Sequence, residues 1–261
     1  MIENLLVYIV IIIGAIAGYY QKSLTLNGAF AAMLVGMSIY MGLGLNGLAL
    51  LGAFFISSSF WSKYKASAKK NMEEKLAKGA TRDWVQVLAN GGAAALFSLL
   101  YLFFPEKIWL IGFTVCLASA NSDTWASEIG SLSKKKPIYI RTFKRVERGT
   151  SGAISGLGST AAIAGSLFIS ILSYFLFHLD LDSVLIVFLF GYIGNVIDTL
   201  IGAFYQLAYI CKHCGINTEK MNHCQMPTTR IKGFRLVDND MVNFLSGFIA
   251  SMLSIAILRF F

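Results

Sequence analysis

Three short segments of this chain set carboxylates and amides at places where apolar helices should be ending. The first is Ala120-Asn121-Ser122-Asp123-Thr124-Trp125-Ala126-Ser127-Glu128-Ile129-Gly130. The second is Asn195-Val196-Ile197-Asp198-Thr199, and the third is Asp238-Asn239-Asp240 with Asn243 one turn on. An ionised Asp inside a bilayer costs about 3 kcal/mol even on permissive scales, so such a residue reads as part of a site. On a helix Asn121, Thr124 and Glu128 share a face, with Asp123 at its margin. Gly194 and Gly202 flank Asp198 and are expected to clear space around it. Carboxylates and amides converging from several helices match the oxygen-rich shell of Mg²⁺, which water and substrate phosphates usually complete. Asp123, Glu128, Asp198, Asp238 and Asp240 are therefore the candidate catalytic carboxylates, with Asp123, Glu128 and Asp198 as the expected Mg²⁺ ligands. Helix capping explains Asp240 or Asn121 singly. It does not explain three such groups on one side.

Cations accompany these acids. Lys134, Lys135, Lys136, Arg141, Lys144, Arg145 and Arg148 lead into Gly149-Thr150-Ser151-Gly152, a turn that opens a helix. Guanidinium forks and a helix N-terminus both suit a polyphosphate; a plain topogenic basic loop is the alternative. Arg82, Gln86 and Asn90 form a polar stripe at four-residue spacing that lipid would reject. Nucleotide or substrate contacts are thus expected from Arg82, Asn121, Asn195, Lys135, Arg141, Lys144, Arg145 and Arg148, and more weakly from Lys63 and Asn90. Cys211-Lys212-His213-Cys214 followed by His223-Cys224 offers three thiols and an imidazole, enough for structural Zn²⁺ at Cys211, Cys214, His223 and Cys224. A metal-free thiol cluster is the other reading.

The elements that must position these residues are apolar. Apolar residues make up 56% of the chain, charged ones only 14%, and the mean hydropathy is +0.64. That excludes an ordinary soluble domain. The expected class is an all-α polytopic membrane protein with spans near 5–20, 29–45, 49–61, 85–104, 108–126, 154–177, 184–207 and 241–260. This makes about eight crossings, with seven as the alternative; the third span is short unless it begins near Leu43, and the others are about long enough for a hydrocarbon core of ~30 Å. Residues 1–261 read as a single integral membrane domain, with 206–240 as a Cys-containing loop inside it. Residues 131–151 read as an irregular loop.

Every Lys and Arg except Lys107 and Arg259 falls at Lys22 or within 63–82, 134–148 and 212–235. By the positive-inside rule these segments are cytoplasmic and both termini lie outside. The net charge of +8 then needs no nucleic-acid partner. The first span lacks a basic n-region and is expected to be retained; a prokaryotic plasma membrane is the expected location.

Five stretches resemble the transmembrane-protein-19-like integral membrane family, which includes plant phytyl-phosphate kinase. They are 54–63, 82–91, 121–130, 194–203 and the cysteine loop running into Asp238-Asn239-Asp240. Asp123-Thr124-Trp125-Ala126-Ser127-Glu128 is the most specific; Ser122 stands where the family usually has Gly. A thinner resemblance reaches CTP-dependent polyprenol kinases, whose Lys-x-x-Glu-Gly-Thr pattern is similar to Lys144-Arg145-Val146-Glu147-Arg148-Gly149-Thr150 with Arg148 inserted. The resemblance implies transfer of a phosphoryl group from CTP or another nucleoside triphosphate to an isoprenoid monophosphate held in the membrane. A transporter or flippase of an anionic lipid or ion, and a cytidylyltransferase making a CDP-linked lipid, are the alternatives. Chain length of the isoprenoid, donor base and oligomeric state stay open.

Overall fold

The computed structural model describes residues 2–260, with side chains except at 2–4, 70–73 and 260. Helix α1 (Ile2–Tyr20) leads into α2 (Leu26–Lys63), short α3 (Ala66–Glu73), α4 (Trp84–Phe103) and α5 (Lys107–Gly130). Strands β1 (Ile138–Tyr139), β2 (Lys144–Arg145) and β3 (Ala153–Ile154) precede α6 (Gly156–Phe177) and α7 (Leu181–Phe204). Strands β4 (Ala208–Ile210), β5 (Asn217–Thr218), β6 (Asn222–His223), β7 (Met226–Pro227) and β8 (Thr229–Lys232) then lead to α8 (Asn239–Phe260).

Helix α5 is the axis of the bundle. It packs against α2, α4, α6, α7 and α8, and Leu110 to Ser119 are buried without a break. Phe97, Phe113, Leu117, Ile169 and Val187 fill the core around it. The outward faces of α6 and α7 carry Leu167, Ile171, Phe175, Leu185 and Leu189 in exposed positions, as helices in a lipid solvent require. The molecule is an all-α, multi-helix integral membrane protein.

Five helices, α2, α4, α6, α7 and α8, are long and apolar enough to cross a membrane by length and composition. This corrects the expected count of eight or seven. The first expected span is a shorter apolar stretch, Leu5–Tyr20. The fifth falls in α5, which other helices enclose and whose last turns are polar. The second and third share α2, where Gly44 (φ 61°, ψ −151°) interrupts the helix. The backbone of Thr25 donates to the Arg82 carbonyl at 2.9 Å, while Arg82 Nη1 donates to Ser59 Oγ at 3.0 Å. Both ends of α2 thus meet one residue, whereas 38 residues of straight helix would span about 57 Å. The chain doubles back at Gly44, a backbone conformation that a residue with a Cβ tolerates poorly.

The loops are more ordered than expected. Residues 131–151 form most of the antiparallel sheet β2-β1-β3, and the cysteine loop holds the sheet β5-β4-β8 and the hairpin β6-β7. All the basic loops meet at one end of the bundle. Lys63 Nζ donates to the Gln21 carbonyl at 2.8 Å, Lys75 Nζ to the Arg148 carbonyl at 3.3 Å, and the Glu219 backbone to the Lys75 carbonyl at 2.9 Å. At the same end the N-termini of α4, α6 and α8 are capped by Asp83, Ser155 and Asp238, which accept from the backbones of Gln86, Gly158 and Met241.

Candidate functional site

That end of the bundle encloses a cavity of about 360 Å³. Its floor is the polar end of α5 and the facing part of α7. Asn195 Nδ2 donates to Asp123 Oδ1 at 3.1 Å, tying α7 to α5. Three residues along α7, Asp198 accepts from Ser246 Oγ of α8 at 3.3 Å and lies within electrostatic reach of Asp123. Among the described residues neither carboxylate forms an ion pair with a Lys or Arg. The close approach of these helices depends on glycine. A Cβ at Gly194 would lie 2.0 Å from Ser119 Oγ, and one at Gly202 would lie 2.6 Å from Ser151 Oγ. These glycines let α5 and the 149–152 turn pack onto α7, where the expected role was to clear space around Asp198.

Of the other acids, Glu128 and Asp240 are answered by lysines, while Asp238 and Glu219 accept from neutral groups. Glu128 accepts from Lys69 Nζ at 2.6 Å and from Ser62 Oγ at 2.9 Å. Lys69 is almost fully buried and also donates to the Trp61 carbonyl. Lys78 Nζ bridges Asp240 at 2.5 Å and Asp83 at 2.8 Å. Burial opposes the Lys78 charge, but its bonds to Asp240 and Asp83 outweigh that and raise its pKa, while lowering that of Asp83. Asp238 caps α8 at the cavity edge. Glu219 accepts from Gln206 Nε2 at 2.8 Å and from the Ala77 backbone at 3.2 Å, and burial pushes its pKa up.

Of the residues singled out in the sequence, Asp123, Glu128, Asp198, Asp238, Asp240, Arg82, Asn90, Asn195 and Arg148 line the cavity, as does the Gly149-Thr150-Ser151-Gly152 turn. Asn121 does not. It is buried as a joint between helices, accepting from Ser57 Oγ at 3.0 Å and donating to the Gly165 carbonyl at 2.8 Å. The α5 face that carries it looks towards α2 and α6, so Asn121 and Asp123 serve different neighbours. Lys63, Lys135, Arg141, Lys144 and Arg145 are exposed and lie outside the lining. Lys69, Lys78, Gln206 and Glu219 line the cavity without having been singled out. Gln206 had a signal, an amide inside the apolar run 203–210. The two lysines and Glu219 had none, since charges in polar loops are ordinary.

Away from the cavity, Cys211, Cys214, His223 and Cys224 form a cluster of the kind that holds a metal ion, with ligand atoms all within 4.8 Å of one another. His223 Nδ1 lies 3.4 Å from Cys214 Sγ and 3.2 Å from Cys224 Sγ. The backbone N–H of Cys214 is the main influence holding the Cys211 thiol down at about 6.

The fold and the cavity define a membrane-embedded helical bundle with one polar, one-ended site. The chain matches the model of the integral membrane protein family DUF92 over residues 9–251, and it belongs to that family, the transmembrane-protein-19-like group. It is 32% identical to Protein PGR of Arabidopsis thaliana over 95% of this chain and 94% of that one. Identity to an uncharacterized membrane protein of Methanocaldococcus jannaschii is 35%, over 82% and 86% of the two chains. Protein VTE6, chloroplastic, of Arabidopsis thaliana is 26% identical over 91% of this chain and 66% of its own. No solved structure matches the chain.

Proposed function

We propose that this protein transfers a phosphoryl group from CTP, or another nucleoside triphosphate, to an isoprenoid monophosphate. The observation that carries this reading is a pair of carboxylates without a cation, Asp123 and Asp198, in a cavity that elsewhere presents Lys69, Lys78, Arg82 and Arg148. The family resemblance of the Asp123–Glu128 stretch to phytyl-phosphate and polyprenol kinases gives the substrate class.

The donor set at Asp123 and Asp198 is hard oxygen throughout and lacks an internal counter-charge, which suits Mg²⁺. Bound there, the ion would neutralise phosphate charge. The chain's own residues do the rest. Arg148, the 149–152 turn and the N-terminus of α6, whose cap Ser155 is neutral, favour anions at the cavity wall. Lys78, held in place by Asp83 and Asp240, adds a fixed cation where charge spreads over the transferred group. An oxygen of the acceptor phosphate attacks the γ-phosphorus, the bond to the bridging β-oxygen breaks, and the nucleoside diphosphate leaves. The acceptor is ionised at neutral pH, so no proton need be removed and no general base is required.

In this reading the whole chain is one membrane domain. The five long apolar helices lie in the bilayer, α2 as two limbs joined at Gly44, with α5 enclosed among them. The basic end faces the cytoplasm and both termini face out. The isoprenoid tail lies along the helices. An ion transporter would need charged groups along a path through the bundle, whereas beyond Asn121 the buried polar side chains among the described residues are hydroxyls such as Ser98, Thr114, Ser170 and Ser251, set among Phe97, Phe113, Leu117 and Ile169.

The test is to incubate the purified protein with labelled CTP, Mg²⁺ and phytyl, geranylgeranyl or undecaprenyl monophosphate. The expected products are the isoprenoid diphosphate and CDP. Release of pyrophosphate would indicate cytidylyl transfer instead. No diphosphate from any acceptor, with lipid or ion movement in liposomes, would overturn the kinase reading in favour of transport.

A further inference from the structure

We infer that the Cys211–Cys214–His223–Cys224 cluster is a Zn²⁺ site that braces the segment 75–78 across the cavity. The first part rests on geometry. Tetrahedral zinc with bonds of about 2.3 Å to sulfur and 2.0–2.1 Å to nitrogen places its ligand atoms about 3.6–3.8 Å apart. The four ligand atoms here lie within 4.8 Å of each other, with the two sulfur–imidazole separations at 3.4 and 3.2 Å. A softer donor set than the all-oxygen cavity selects zinc over magnesium.

The backbone supplies a second observation. Hairpin β6-β7 pairs His223 with Met226, leaving Cys224 and Gln225 as a two-residue turn. Both are in the left-handed region, at φ 53° and 59°. Such turns favour Asn-Gly because residues with a Cβ are strained there. Two such residues are strained, and the surrounding structure must offset that strain. What the strained turn achieves is to bring Cys224 Sγ beside His223 Nδ1. On the other side of the cluster, Gly215 (φ 72°) closes the turn after Cys214, with its N–H donating to the Cys211 carbonyl at 2.9 Å. Two independent turns thus point their sulfurs at one imidazole.

The consequence for the cavity runs through β5. Leaving the cluster, the chain passes through Thr218, whose hydroxyl donates to the Lys75 carbonyl at 2.7 Å. The next residue, Glu219, donates its backbone N–H to the same carbonyl at 2.9 Å and accepts the Ala77 N–H at 3.2 Å. These bonds hold the irregular segment that delivers Lys78 to Asp240. Zinc binding is folding energy for so short a segment, so its loss should free residues 75–78 and with them Lys78. The zinc site itself does not depend on the kinase reading, and its readouts are independent of turnover.

The experiment uses the full chain in detergent. Its metal content is measured, followed by hydrogen exchange of a peptide covering 75–80 before and after chelation, and in a Cys214→Ser/Cys224→Ser variant. Both thiols are exposed, so the variant should keep the helical bundle, which exchange in α5 would report. The expected result is stoichiometric zinc in the native chain, none in the variant, and exchange at 75–80 faster by about tenfold or more once the metal is gone. A native chain grown with ample zinc that retains none overturns the site. Zinc that is bound and removed without changing exchange at 75–80 overturns the brace.

Discussion

On the α5–α7 floor of the cavity, Asp123 and Asp198 accept hydrogen bonds only from neutral groups, Asn195 and Ser246. Where α3 and the loop after it meet the bundle, Glu128 and Asp240 are each closed by a lysine, at 2.6 and 2.5 Å. The difference sorts four of the five carboxylates that look alike in the sequence, Asp238 being taken up in capping α8. A carboxylate already answered by an ammonium inside the protein positions that ammonium. One left without a counter-charge at the edge of a bilayer has a standing attraction for a cation from outside. On the proposed reading the floor binds the cation, and the ion pairs position Lys69 and Lys78 along the cavity wall.

The largest effect that would break this division is expected at Asp123. Asp123→Asn should lower turnover by at least about 10³-fold, since it removes charge that only the reacting complex uses. The variant should still be recovered folded from the membrane. Full activity would remove Asp123 from the site. Next in size is Lys69→Met, which leaves Glu128 with Ser62 as its hydrogen-bond donor and no ion pair, and should cost about 3 kcal/mol of stability. Thermal unfolding in detergent reads this loss, and a Lys69→Met/Glu128→Gln double variant should recover most of it. No recovery would mean that Lys69 acts through more than its partner. Lys78→Met should reduce turnover by about tenfold while leaving the bundle folded, with the nucleotide KM rising as well. The smallest change is expected from Lys144→Ala with Arg145→Ala, under about twofold, because both are solvated and outside the cavity. A large loss there would return the phosphate clamp to the outer part of the basic loop.

How much of this the sequence carried follows from cost. Asp123 and Asp198 stand out because carboxylates in apolar helices are expensive, and that expense marks them at any distance from each other. Lys69, Lys78 and Glu219 lie in polar segments where charges cost little, so only the folded chain brings them to the cavity. The same blindness selected Lys135, Arg141, Lys144 and Arg145, whose density was visible but whose direction was not. Arg148, in the same run, is the member that reaches the lining. Asn121 and Asp123 are two residues apart and looked like one polar group. On a helix that spacing turns about 200°, enough to send one to α2 and α6 and the other to α7. The apolar pattern located every long helix, but it could not weigh α5, whose enclosure by its neighbours relieves it of the need for an apolar surface. The pattern also separates the spans 29–45 and 49–61, and α2 doubles back at that break, where Gly44 and Asn46-Gly47 interrupt the apolar run.

The most direct test of the central claim, that Asp123 and Asp198 act as one cation site, is a double-mutant cycle on Mn²⁺ binding, with Mn²⁺ in place of Mg²⁺. Binding of the ion is followed by its paramagnetic signal in the native chain, Asp123→Asn, Asp198→Asn and the double variant. A shared site predicts that either single change weakens binding nearly as much as both together. Independent, additive losses, or unchanged Mn²⁺ affinity in the double variant, would contradict it.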